Sequence, residues 1–114
     1  MANTFYKVEK SNVTVSDKSG YLFKVGFGDP AQNDAIVQDA QSRMLELETG
    51  ESGGGVALVN GPASLPVAMV LAHHLAHRYD AVACFDPKIS GYVVAICHGP
   101  TYSIGQVIPA SDVK

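Results

Sequence analysis

The stretch from Val56 to Phe85 leaves this chain few ways to fold. VALVN (Val56 to Asn60) is short, continuous and apolar. GPASLP then turns the chain, VAMVLAHHLAHRY is rich in Ala, Leu and Met with a proline close to its start, and DAVACF (Asp80 to Phe85) is apolar again. Brief apolar runs bounded by turn residues read as buried strands, and the longer run between them as a helix. Strand, helix and strand in about thirty residues make a βαβ unit, with parallel strands and a right-handed crossover. YVVAICH (Tyr92 to His98) then returns antiparallel across the turn DPKISG, in which Asp-Pro opens and Gly91 closes the hairpin. YSIGQVIP (Tyr102 to Pro109) adds an edge strand.

The first half is less constrained. TFYKVEK and NVTVSDKSGYLFKVGFG alternate apolar and polar residues, with breaks at Ser11-Asn12 and from Asp17 to Gly20, so two or three short antiparallel strands are predicted. Asp29-Pro30 offers a helix cap followed by proline at the first helical position, and Ile36, Ala40, Met44 and Leu47 recur at helical spacing. TGESGGG (Thr49 to Gly55) ends that helix as a flexible connection. It lacks the Lys-Ser or Lys-Thr of an NTPase phosphate loop. The expectation is one α/β domain over residues 1–114, with an open mixed sheet, at least two helices and a C-terminal βαβ unit extended by a hairpin.

Composition narrows the function. A net charge of -3 argues against a nucleic-acid coat such as DNA binding would require, and no apolar run approaches the roughly 18 residues that cross a bilayer. The N-terminus carries no basic region followed by an apolar one, so a cytoplasmic location is expected. Cys84 and Cys97 lie in apolar strands, where buried free thiols are expected, and no CxxC pair suggests zinc or redox chemistry. Between Leu45 and Val113 the only Lys or Arg residues are Arg78 and Lys88, yet all four histidines fall there.

In open α/β sheets, ligands collect beyond the carboxyl ends of parallel strands, where helix N-termini leave amides free. That edge carries GPASLP after one strand and DPK after the other. Gly61, Pro62, Ser64, Asp86 and Lys88 therefore form a candidate anion site, although Asp86 by itself reads more readily as a turn residue. The histidines belong to the opposite edge, because His77 closes the helix and His98 ends the returning strand. Five or six residues rising about 3.3 Å each put them roughly 17 to 20 Å from Asp86. His73 and His77 share a helical face at a spacing able to hold a metal, but no carboxylate stands at the HExxH position. His74, three before His77, packs or faces solvent. No GxSxG hydrolase motif is present, and GFG at Gly26 lacks the third glycine of a dinucleotide fingerprint.

Taken together, LPVAMVLAHHLAHRYDAVACFDPKISGYVVAICHGPTYSIGQVI resembles the small CRISPR-associated ring nucleases of type III systems over roughly residues 55–108. The pattern is a buried strand ending in Asp-Pro-basic, a turn with glycine, a Val-rich strand ending in His, and YxxGxVI. The resemblance implies a Rossmann-like, CARF-like or ferredoxin-like arrangement and manganese-dependent cleavage of cyclic tetra-adenylate to linear diadenylates. It implies dimers assembling into tetramers or stacks, and in some members an AAA-type ATPase partner. By position, the family's acid falls on Asp86, the basic residue on Lys88 and the strand-closing histidine on His98. The catalytic histidine falls on His77, or on His73 if the repeated LAH is aligned one copy earlier. His98, Asp86 and His73 are the metal-ligand candidates, with Asp86 also a possible base. Lys88 replaces a more usual Arg, exchanging a bidentate grip for a point charge. Two rival readings use the same residues: a non-catalytic sensor or sponge of the cyclic nucleotide, and a manganese-dependent 3′ exoribonuclease on linear RNA.

Overall fold

A computed structural model describes residues 4–47 and 55–114. The chain runs through strands β1 (Tyr6–Val15) and β2 (Lys18–Phe27), helix α1 (Asn33–Leu47), β3 (Val56–Asn60), helix α2 (Leu65–Ala76), β4 (Ala81–Asp86), β5 (Gly91–Cys97) and β6 (Val107–Pro109), and ends in a single 3-10 turn. The six strands form one sheet in sequence order. β2, β3 and β4 are mutually parallel, while β1, β5 and β6 join by antiparallel pairing. The expected mixed α/β sheet is present, and it contains two consecutive βαβ units, since β2–α1–β3 repeats the pattern of β3–α2–β4.

Several local expectations are corrected. No break occurs at Ser11-Asn12, where the ladder pairs Ser11 with Leu22 and Asn12 with Tyr21. Continuous pairing overrides the weak strand preference of those residues. The hairpin turns on Ser16 and Asp17, both left-handed at φ 49° and 71°, rather than over Asp17 to Gly20. A two-residue turn of that hand matches the twist of its strands, and aspartate tolerates the conformation. Helix α1 begins at Asn33 rather than after Asp29, with the Ile36 amide donating to the Gln32 carbonyl. The Asp29 amide instead donates to the Thr4 carbonyl, tying the approach to the helix back to the N-terminal strand. The connection from Thr49 to Gly54 lies outside the described residues.

Two cores lie on opposite faces of the sheet. Under the helices, Ile36, Ala40 and Met44 of α1 and Val67, Leu71 and Leu75 of α2 pack on Tyr6, Phe23, Ala57 and Val82. Each fully buried Leu or Val contributes roughly 1.5–3 kcal/mol. On the other face Val15, Val56, Leu58, Ala83, Tyr92 and Ile108 are buried with Tyr102 and Val113 against them. The sheet curls to enclose this second core. Val15 at the end of β1 bridges Val113 beyond β6, and Thr14 and Lys114 exchange backbone hydrogen bonds of 2.9 and 3.1 Å.

Candidate functional site

The carboxyl edge of β3 and β4 is built by backbone constraints. Gly61 adopts φ +139°, and a Cβ there would collide with the Val25 carbonyl, so only glycine lets β3 leave the sheet so close to β2. The next carbonyl, Pro62, accepts a 2.7 Å hydrogen bond from the Tyr6 hydroxyl, whose pKa burial pushes up to about 12. Ser64 caps α2, its hydroxyl accepting from the Val67 amide at 3.4 Å, and Pro66 sits in the first turn, where a missing N–H costs little. β3 and β4 run parallel, pairing Val59 with Cys84, so the loop after β3 and the turn after β4 leave the sheet at the same edge. The expected group of Gly61, Pro62, Ser64, Asp86 and Lys88 thus occupies one edge beside a helix N-terminus.

Asp86 is half-buried and Lys88 exposed. The Asp86 Oδ1 accepts from the Lys88 amide at 2.9 Å, and its carbonyl accepts from the Ile89 amide at 3.3 Å. This is an Asx turn, so the turn role of Asp86 is real. Gly91 closes the hairpin as the partner of Asp86, but it is not the left-handed residue of the turn. Ser90 takes the left-handed conformation at φ 49°, whereas Gly91 starts β5 and is needed because a Cβ would lie 2.7 Å from Val107.

The amino edge carries the histidines. His77 is the C-cap of α2, with its own amide donating to the Leu75 carbonyl. The His98 amide donates to the Asp80 carbonyl at 2.7 Å, fixing the end of β5 beside the start of β4. His73, His77 and His98 are all exposed, and the rings of His73 and His77 stand edge to face with centres 4.7 Å apart. The pairings of Ala81 with Cys97 and Asp86 with Gly91 place the two edges five strand residues apart, about 17 Å. Within one chain Asp86 and His98 cannot share a ligand atom. Among the described residues, no group of three or more His, Cys, Asp or Glu side chains is arranged to hold a metal.

Three features escaped the reading of the sequence. An apolar rim, Phe27, Leu65, Met69 and Ile89, surrounds the carboxyl edge, with Leu65 75% and Met69 68% exposed. Its signal lay in α2, where Val67, Leu71 and Leu75 are buried while Leu65, Met69, His73 and His77, also four apart, form an exposed stripe. Second, an apolar groove of about 220 Å³ lies between α2 and β4, lined by Gly61, Ala63, Ala68, Ala72, Cys84 and Phe85. Cys84 is therefore exposed rather than buried, because α2 does not cover the flank of β4, although the apolar surroundings push its thiol pKa up. Cys97 is half-buried and donates to the Gly99 and Tyr102 carbonyls. Third, the Asn60 amide donates to the Tyr92 hydroxyl at 3.2 Å across β4.

No helix among the described residues is long and apolar enough to cross a membrane. No curated protein matches the chain. A family model, described as CRISPR-associated protein (Cas_csx3), matches residues 32–109, from the approach to α1 through β6 and thus across both edges just described. The chain belongs to this CRISPR-associated family.

Proposed function

We propose that the domain is a ring nuclease that opens cyclic tetra-adenylate into linear diadenylates and so switches off type III CRISPR signalling. The observation that carries the reading is the separation of its two polar edges on a chain of this family. A carboxylate, a cation and a helix N-terminus stand at one edge, and histidines at the other. A ring-shaped ligand between stacked subunits meets Asp86 and Lys88 of one copy and His77 of the next. Dimers assembling into tetramers or longer stacks complete each site, and an AAA-type ATPase is a candidate partner in the same pathway.

Cleavage of this kind needs a 2′-hydroxyl to lose a proton as it attacks the adjacent phosphorus, and the departing 5′ oxygen to gain one. Asp86 and His77 take these two roles, the imidazole being the side chain that changes charge nearest neutral pH. The Lys88 ammonium, the Ser64 hydroxyl and the amides opening α2 offset the charge that grows on phosphate oxygens. Pro62 contributes shape rather than a donor, since it has no N–H. The groove beside Cys84 and the rim at Leu65 and Met69 offer apolar surface to adenine. Among the described residues one chain brings no three such ligands together, so His98, Asp86 and His73 would hold a Mn²⁺ ion as ligands contributed by different subunits, where it would offset phosphate charge.

Incubating the protein with cyclic tetra-adenylate, with and without Mn²⁺, should yield diadenylates. Tight binding with the ring intact would make the domain a sensor or sponge instead, and preferential shortening of linear RNA from its 3′ end would make it an exoribonuclease. Asp86→Ala and His77→Ala should each be inactive alone and active when mixed. Mixtures that exchange subunits yet stay inactive would overturn the shared site.

A further inference from the structure

The exposed stripe of α2 ends in His73 and His77, whose ring centres are 4.7 Å apart at an interplanar angle of 83°. Imidazoles four apart on a helix, with ring centres this close, lie within reach of a single ion that sits about 2.0–2.1 Å from one nitrogen of each. Imidazole nitrogen suits Ni²⁺ and Cu²⁺, and oxygen-seeking Mn²⁺ stands lowest in affinity at nitrogen sites.

Both rings are exposed, so solvent or a ligand can fill the remaining positions without burying a charge. The helix holds the two residues one turn apart, and no chain rearrangement is needed to bring them to one ion. His74 is also three residues before His77, but its ring meets His73 at a wider 5.7 Å, and adjacent helical residues diverge.

We infer that His73 and His77 form a two-point chelate for a divalent transition metal of the Ni²⁺ or Cu²⁺ type on the outer face of α2. The inference does not rest on the proposed reaction, and its test contains no nucleotide. Untagged full-length protein is titrated with NiCl₂ and, separately, MnCl₂, following heat and thermal midpoint. Ni²⁺ should bind with one ion per chain and more tightly than Mn²⁺. Either His73→Ala or His77→Ala should weaken Ni²⁺ binding roughly tenfold or more, because the second imidazole is presented intramolecularly. His74→Ala and His98→Ala should leave it unchanged. Ni²⁺ binding that survives His73→Ala, or falls equally with His74→Ala, overturns the assignment. So does a preference for Mn²⁺.

Discussion

The two edges of the sheet are built differently. At the carboxyl edge nearly every candidate residue also holds the fold together: Gly61 permits the close approach to Val25, Pro62 is tied to Tyr6, Ser64 caps α2 and Asp86 closes its own turn. At the amino edge the backbone is just as well tied, through Asp80 and His98, but the histidine side chains project into solvent. Substitutions at the first edge therefore mix structure with function. Those at the second separate them, which makes the amino edge the better place to assign chemistry.

The sharpest contrast is Gly61→Ala. A Cβ at φ +139° meets the Val25 carbonyl, and relief requires β2 and β3 to part. Strain of this kind costs roughly 3 kcal/mol, lowering the thermal midpoint by about 10 °C or more, readable by circular dichroism. A variant as stable as the parent would show that the edge is not pinned there. Asp39→Ala comes next. Its carboxylate, on α1, accepts from the Phe5 and Tyr6 amides at 2.8 and 2.9 Å and pairs with Arg43. Removing it should cost about 2 kcal/mol by leaving two amides without a charged acceptor.

Asp39 also gives this edge an acid-side pH dependence. Burial pushes its carboxyl up, but the Tyr6 and Phe5 amides and Arg43 outweigh that and hold it below the usual carboxylate range. A depressed folded pKa contributes stability that is present above the unfolded value, near 3.9, and lost as pH falls through the folded one. Urea midpoints measured from pH 6 down to pH 3 should converge for wild type and Asp39→Asn.

The second half of the chain was legible because its signals are local and continuous. Apolar runs gave β3, β4 and β5, and the Ala-, Leu- and Met-rich run with a proline near its start gave α2. The separation of Asp86 from His77 and His98 followed from counting strand residues, and the strand register agrees. The first half was harder. That β2 lies parallel to β3 is a long-range pairing of Gly20 with Val56, which no local pattern in either strand encodes. Gly20 and Gly91 looked like turn residues, yet both serve close packing within the sheet, against Val15 and Val56 and against Val107. The apolar rim was missed because Leu65 and Met69 are apolar like the buried Val67, Leu71 and Leu75 and differ from them in phase.

Tyr6→Phe tests the carboxyl edge more gently. Losing the bond to Pro62 should cost about 1 kcal/mol, a few degrees in thermal midpoint. The raised pKa of the Tyr6 hydroxyl, about 12, also sets an alkaline limit. In the interval from the unfolded value near 10 to the folded one the unfolded chain binds fewer protons, so stability is fully present below 10 and falls as pH rises toward 12. The phenylalanine variant should lack that contribution to the alkaline decline.

His77→Ala is expected to change stability least and activity most. The ring is exposed at the helix end, and the cap it provides is made by its backbone amide, which alanine keeps. The thermal midpoint should move by no more than about 2 °C, in line with surface substitutions of roughly ±0.5 kcal/mol. Cleavage of cyclic tetra-adenylate should meanwhile fall by about 10²- to 10⁴-fold, the usual contribution of a positioned acid or base. A large loss of stability would mean that the His77 side chain holds α2 against the amino edge, and its role in cleavage would then have to be assigned through His73 or His98. A stable variant with undiminished cleavage would remove His77 from the chemistry altogether and leave the carboxyl edge to act alone.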